Sequence, residues 1–265
     1  MSPPWSGGTV GERARCVLAP NAGPMTLDGT NTWLLAEPGS QLAVVVDPGP
    51  DDESHLRAVL AAAERDGRRI ALALLTHAHP DHAAGARRFA ELAGVDVRAL
   101  DPAHRLGADG LSDGEVLDVA GLQVQVVATP GHTADSLSFL VTADGALLTG
   151  DTVLGRGTTV VAWPDGLLAD YLGSLERLSA MAAGGRVERI LPGHGPALDD
   201  PAGALEGYLA HRRSRLAQVA AAVADGDRTP AAVVARVYAD VDRALWPAAE
   251  LSVRAQLEYL GVRAQ

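Results

Sequence analysis

The stretch Thr76–His82 reads Thr-His-Ala-His-Pro-Asp-His, directly after the apolar run Ile70–Leu75 and before a segment of helical character reaching about Ala93. Three imidazoles and a carboxylate within six residues are costly to gather unless a cation holds them. In a regular helix or strand they would splay to different sides. In a tight loop at the end of a buried strand they converge, and imidazole nitrogens with carboxylate oxygens suit zinc and similar transition ions. Only 8 of the 265 residues are histidine, so an ordinary polar loop is a poor account of this cluster.

The rest of the chain repeats the same grammar. Apolar, β-branched runs at Arg13–Ala19, Thr32–Ala36, Leu42–Val46, Ile70–Leu75, Leu122–Ala128, Ser136–Thr142, Ala146–Leu148 and Arg189–Leu191 are expected to be strands. Five of them end in short loops marked by glycine or proline. These loops carry Asp47, the Thr76–His82 group, His132, Asp151 and His194. Five of the eight histidines fall there, and recurrence at strand ends is how a site is assembled along one edge of a sheet scaffold. Of the others, His55 is expected to be a solvated residue of a helix opening near Asp51, and His104 a surface residue.

Two ligand clusters can be drawn from these loops. His77, His79 and His132 offer three nitrogens to one metal; Asp81, His82 and His194 serve a second, with Asp151 between them. Such a set leaves a position for a shared water, as in a catalytic site, and exceeds the four ligands of a structural zinc. Two metals about 3.5–4 Å apart would lower the water's pKa and yield a bridging hydroxide.

Composition bounds the alternatives. With 47% hydrophobic residues but only 4% aromatic, the core must be filled by Ala, Val and Leu. The net charge of −11 argues against a broad nucleic-acid footprint. All 22 basic residues are arginine, and from Pro201 onward 8 Arg face 7 acidic residues, so any anion-binding surface is local. Cys16 stands alone, which excludes a disulfide framework or a cysteine zinc site; it is expected in the core. The N-terminus lacks the basic and apolar regions of a signal peptide, and no apolar run approaches the roughly 20 residues of a membrane span. A cytoplasmic protein without membrane attachment is expected. Beyond Pro201 the sequence turns helical, with Asp199 or Asp200 able to cap ahead of Pro201 and a second cap-and-proline start at Thr229-Pro230, so we divide the chain into 1–200 and a helical unit at 201–265.

Thr76–His82, Gly131-His132-Thr133, Gly150-Asp151 and Gly193-His194-Gly195, with 50, 19 and 43 residues separating His82, His132, Asp151 and His194, resemble the metallo-β-lactamase-fold hydrolase superfamily. The resemblance implies an α/β fold, a four-layer αββα sandwich, with a dinuclear site at one edge. It implies two Zn²⁺ per chain, Mn or Fe also being compatible, held by His77, His79, Asp81, His82, His132, Asp151 and His194. Asp81 and Asp151 are then the catalytic carboxylates, and Asp47 supports the ligands from behind. Gly29-Thr30-Asn31-Thr32, the run Gly150–Thr159 and His211-Arg212 are similar to the β-lactamase-like protein 2 group. That narrower resemblance implies a small C-terminal winged-helix-like appendage and, in some members, single-strand RNA cleavage.

The expected function is therefore metal-dependent hydrolysis of an ester-type bond. The substrate is either a phosphodiester such as single-stranded RNA or a small-molecule ester or thioester, as in glyoxalase II. Arg156, His211 and Arg212 are the candidate substrate-binding residues; the alternative for Arg212, with Arg213 and Arg215, is a solvated helix face. A di-iron redox protein of this fold would carry H-x-E-x-D, where this chain has His79. A non-catalytic nucleic-acid-binding protein would not need the intact ligand set.

Overall fold

The computed structural model describes residues 4–262; residues 1–3 and 263–265, the outer ends of the two expected units, lie outside it. Strands β1 (Gly8–Val10), β2 (Ala14–Leu18), β3 (Asn31–Leu35), β4 (Leu42–Val46), β5 (Arg69–Leu74) and β6 (Val97–Arg98) form one sheet in that order. It is antiparallel through β4 and parallel from β4 to β6. Strands β7 (Val116–Val119), β8 (Leu122–Ala128), β9 (Leu137–Val141), β10 (Ala146–Gly150) and β11 (Arg189–Pro192) form a second, ordered β11-β10-β9-β8-β7. Here only the β10–β11 pair is parallel.

The layering follows from period-2 alternation. In β3 and β4, Trp33, Leu35, Val44 and Val46 point to one side and meet Val124, Val126, Phe139 and Leu148 of the second sheet. The alternate residues Leu34, Ala43 and Val45 face α1 (Glu53–Arg65), the short α2 (Pro80–Ala83) and α3 (Ala86–Ala93) through Leu56, Val59, Ala83 and Phe89. On the far side Val127, Leu140 and Leu147 meet Leu168, Tyr171, Leu175 and Leu178 of α4 (Leu168–Ala183). Strands apolar on both faces must be covered twice, and the result is the expected αββα sandwich. Leucine, valine and alanine do supply most of the filling.

The C-terminal helices are α5 (Pro201–Ala224), α6 (Pro230–Val237) and α7 (Trp246–Tyr259). Leu205 and Tyr208 in the first half of α5 pack in the α4 core. Val219 in its second half joins Val233, Val234, Tyr238, Val253 and Leu257 in a small separate core. Helix α5 thus serves both cores, and the boundary we propose at 200/201 falls at its N-cap, Asp200, whose carboxylate accepts the Gly203 N–H. No strand follows β11 among the described residues. No described helix is long and apolar enough to cross a membrane.

Strand β1 is additional to the expected strands. Two local expectations are corrected. The helix expected to continue to Ala93 breaks at Ala84-Gly85, where a Cβ on Gly85 would stand 2.6 Å from the Pro50 carbonyl. His55 is buried: it shares the inward face of α1 with Val59 and Ala62, and its Nε2 lies 2.9 Å from Thr32 Oγ1. Burial lowers its pKa, so this histidine is a neutral core residue. Cys16 is in the core as expected, its Sγ 3.2 Å from Asn31 Oδ1, and burial pushes the thiol up to about 12.

Asn31 ties the two sheets together. Its Nδ2 donates to the carbonyls of Pro192 and Gly195, both at 2.9 Å, and its backbone N–H donates to Gly193 at 2.8 Å. Trp33 Nε1 reaches the same Pro192 carbonyl at 3.0 Å. Asn31→Ala would leave the Gly195 carbonyl unpaired and the Pro192 carbonyl with Trp33 alone, and an unpaired buried carbonyl costs about 1–3 kcal/mol, so the variant is expected to lose about 1–3 kcal/mol of unfolding stability in urea titrations. The same titrations should show that Cys16 reacts with thiol reagents only as the chain unfolds.

Candidate metal centre

Each strand end delivers its side chains to one edge of the sandwich. After β4 the chain turns at Asp47, which takes a positive φ of 53°. This unusual conformation for a non-glycine residue goes with a carboxylate that accepts three hydrogen bonds. Oδ1 accepts from the Thr76 N–H at 2.8 Å; Oδ2 accepts from Thr76 Oγ1 at 2.7 Å and from His82 Nδ1 at 2.8 Å. After β5 come His77 and His79. Pro80 then opens α2 at its first position, with His79 as N-cap, so Asp81 and His82 are carried on helical backbone and His77 and His79 are not. The change of backbone at Pro80 turns the two pairs in different directions. His132 follows β8, Asp151 follows β10 and His194 follows β11.

All seven expected ligands converge. His79 Nδ1 lies 3.1 Å from His77 Nε2 and 3.0 Å from His132 Nε2. In the second group His194 Nε2 is 3.3 Å from His82 Nε2 and 3.2 Å from Asp81 Oδ2, which is 3.3 Å from His82 Nε2. Asp151 stands between: Oδ1 is 3.4 Å from His82 Nε2 and 3.3 Å from His194 Nε2, and Oδ2 is 3.7 Å from His132 Nε2.

The back of each ring is also held. His82 Nδ1 meets Asp47, His132 Nδ1 donates to the Val160 carbonyl at 2.6 Å, His194 Nδ1 lies 3.2 Å from the Gly29 carbonyl, and His77 Nδ1 lies 2.9 Å from Thr76 Oγ1. Partners on Nδ1 leave Nε2 free to bind and fix the ring plane. Thr30 Oγ1 donates to Asp81 Oδ2 at 3.0 Å.

The donor set fits metal ions. Two histidine nitrogens, His77 Nε2 and His132 Nε2, within 3.1 Å of a third, His79 Nδ1, and a buried Asp151 Oδ1 without a hydrogen-bond partner, are poorly compensated unless cations lie among them. A Cβ on Gly193 would fall 2.6 Å from Asp151 Oδ1 and 2.7 Å from His82 Cε1, so glycine alone allows β11 to approach this closely. Electrostatics divides the two groups. Burial above all, with His82 and His132 adding to it, drives the His77 pKa well below its usual value, and burial takes His132 down to about 4. Burial opposes protonation of His194 too, yet Asp151 and Asp81 raise it to about 9. His77 and His132 are thereby ready neutral donors.

The remaining expected residues lie beside this centre. A cavity of about 310 Å³ opens at His132 and Asp151, and Arg156, His211 and Arg212 all line it. Arg156 pairs with Asp28 at 2.5 Å. His211 is half-buried with an unpartnered Nδ1. Arg212 is 6% exposed, lies over the Tyr171 ring 5.0 Å from its centroid and donates to the Thr159 carbonyl, whereas Arg213 is exposed. Sequence reasoning missed the cavity's apolar side: Leu27, Leu154, Val241, Leu245, Ala248 and Ala249. Their only signal was hydrophobicity, shared with every core position.

A catalytic edge of this kind on an αββα sandwich defines a metal-dependent hydrolase. The chain belongs to the metallo-β-lactamase superfamily, whose family profile, "Metallo-beta-lactamase superfamily", matches residues 25–194. A second profile, "Beta-lactamase associated winged helix domain", matches 229–261, the region of α6 and α7. The "Beta-lactamase-like protein 2 homolog" of Caenorhabditis elegans is 32% identical over 255 residues, covering 92% of this chain and 82% of the relative. The "Atrochrysone carboxyl ACP thioesterase" of Aspergillus fumigatus is 35% identical over 211 residues, covering 77% of this chain but 62% of that longer protein. Among solved structures, a β-lactamase domain protein from Burkholderia ambifaria superposes with a TM-score of 0.81 at 23% identity, covering 98% of this chain and 89% of the other. Its likeness is one of fold.

Asp47 gives a direct test of the centre. In asparagine one of the two acceptor oxygens becomes an NH2 group that can only donate, so the three hydrogen bonds from Thr76 and His82 cannot all be kept. Asp47→Asn is expected to weaken metal binding about 10–100-fold in competition with a chromophoric chelator, while wild type takes up about two metals per chain by elemental analysis.

Proposed function

We propose that this chain is a dinuclear-metal hydrolase of small-molecule acyl thioesters, its metals held by His77, His79, Asp81, His82, His132, Asp151 and His194. The supporting observation is the cavity at the centre. Its volume of about 310 Å³ is at the small end for ligand pockets, and most of its wall is apolar. Single-stranded RNA calls for an open basic groove with aromatic stacking platforms. Among the described residues Tyr238 is the one Phe, Tyr or Trp lining this cavity, and the Arg215 guanidinium already covers it, 4.6 Å from the ring centroid.

Bound divalent ions, zinc being the natural choice for this nitrogen-rich set, supply an activated water near neutral pH and polarise the substrate oxygen. The protein's own groups do the rest. Asp81 is half-buried, so its carboxylate faces both the cluster and solvent, where it can accept a hydrogen bond from the attacking water and hold its orientation. Asp151, its Oδ1 buried and its pKa kept low by His194 and His82 against the opposing effect of desolvation, stays an anion throughout. Leu27, Leu154 and Val241 exclude water from the acyl side, and Arg156, His211 and Arg212 engage the polar end of the substrate.

Leaving-group chemistry favours the thioester. The one titratable cavity group that could act as a general acid near neutral pH is His211, and burial lowers its pKa, which keeps it neutral. A thiol leaves readily as thiolate, with a pKa of about 8.5, without a donated proton. A ribose alkoxide does not.

The test is a panel of acyl thioesters, carboxylic esters and single-stranded RNA, run with metal-loaded wild type and Asp151→Ala. Thioester turnover is expected to exceed RNA cleavage by at least about 100-fold in kcat/KM and to vanish in the mutant; the reverse preference would falsify the thioester assignment. Arg156→Ala should raise KM several-fold, about 1 kcal/mol of lost binding, with metal content unchanged.

A further inference from the structure

One metal ligand is held in place by the C-terminal helices. The strap Thr159–Val161 passes under His132: the Val160 carbonyl accepts His132 Nδ1 at 2.6 Å, and the Ala162 N–H donates to the His132 carbonyl at 3.0 Å. Thr159 and Val161 are buried, yet the strap belongs to neither sheet, so its backbone groups must find partners elsewhere. They find them on helices that follow the last expected ligand, His194. Ser252 Oγ of α7 accepts the Val161 N–H at 3.2 Å, and Arg212 of α5 donates to the Thr159 carbonyl. Both side chains are buried. Arg212 is braced in turn by the Tyr171 ring, whose hydroxyl donates at 2.7 Å to the carbonyl of Thr152, the residue after Asp151.

We propose that Arg212 and Ser252 are positioning residues of the metal centre: by fixing the strap they set the orientation of His132 and so the affinity of the His77/His79/His132 site. Val160 is flanked on both sides by residues anchored to the C-terminal helices, so its carbonyl has little freedom to follow the ring. Without the anchors the strap relaxes and His132 loses the partner that fixes its tautomer and plane. Loss of such a partner costs a metal site about 10–100-fold in affinity. The Asp81/His82/His194 group has its own supports in Asp47, Thr30 and Gly29 and does not depend on the strap. This role is independent of the substrate.

The experiment titrates metal-free wild type, Ser252→Ala, Arg212→Leu and Val253→Ala with Zn²⁺ against a chromophoric chelator, with the thermal midpoint of each metal-free protein measured in parallel. Ser252→Ala and Arg212→Leu are expected to weaken one of the two zinc sites about 10–100-fold and leave the other as in wild type. Ser252→Thr, which keeps the hydroxyl, should restore the affinity. Val253→Ala, a cavity in the neighbouring small core, should lower the thermal midpoint without separating the two sites. Unchanged affinities in Ser252→Ala, or equal loss at both sites, would overturn the proposal. Should Arg212→Leu fail to fold, Ser252→Ala and its threonine counterpart decide.

Discussion

A single carboxylate joins the parts on which the site depends. Asp47 terminates β4, accepts the backbone and hydroxyl of Thr76 at the end of β5, and accepts Nδ1 of His82 on α2. Two neighbouring strands of one sheet and the short helix that follows them are thereby fixed to each other within hydrogen-bond tolerance, at a buried position where the low dielectric makes each bond strong and each omission costly. The positive φ at Asp47 is part of the same device, because the chain must turn there for one carboxylate to face both partners. Local backbone strain of this kind costs of order 1–3 kcal/mol and persists where the surroundings over-determine it.

The second sheet meets that arrangement through Asn31. This residue begins β3 in the first sheet and caps the carbonyls of Pro192 and Gly195, which bracket His194 in the second. An isolated bridge between Thr30 and His194 continues the contact, and Thr30 then donates to Asp81. The Gly29-Thr30-Asn31 run therefore does in space what its sequence alone could not disclose: it closes the edge between the sheets behind the second ligand group. The Cβ distances at Gly193 show how tight that closure is.

Much of this was legible in the sequence because metal ligation demands rare residue types at fixed places. A histidine-rich loop after an apolar run, and three more ligand-bearing loops after three more runs, predict a shared sheet edge without knowing which strands pair. The strands themselves were readable to within a residue or two: β3, β4 and β9 because both their faces are largely buried, β8 because Leu and Val alternate with Gln, and β11 because Ile190 and Leu191 run into Pro192. What the sequence hid was anything decided by partners distant in the chain. His55 looked like a polar residue on a helix, and only the Thr32 hydroxyl facing it accounts for its burial. Gly85 gave no signal that a carbonyl of Pro50 would lie beneath it. Arg212 belongs to an arginine-rich run in which one guanidinium is buried on Tyr171 and its neighbour Arg213 is exposed, a distinction of one helical step.

The C-terminal helices draw these points together. Their charge is near balance, so they do not form a basic platform. Instead they place Val241, Leu245 and Ala249 as a wall of the cavity. Their first helix is already half within the main core, so they cannot move freely against the sheets. A wall that is rigid with respect to the metals selects by shape and apolar area, each buried methylene being worth about 0.8 kcal/mol. That favours a substrate carrying an acyl chain of definite size over a polymer recognised by its backbone charge. Under the proposed reaction and positioning role, the helices contribute to both halves of the chemistry, fixing the acyl group on one side and, through the strap at Val160, the ring of His132 on the other.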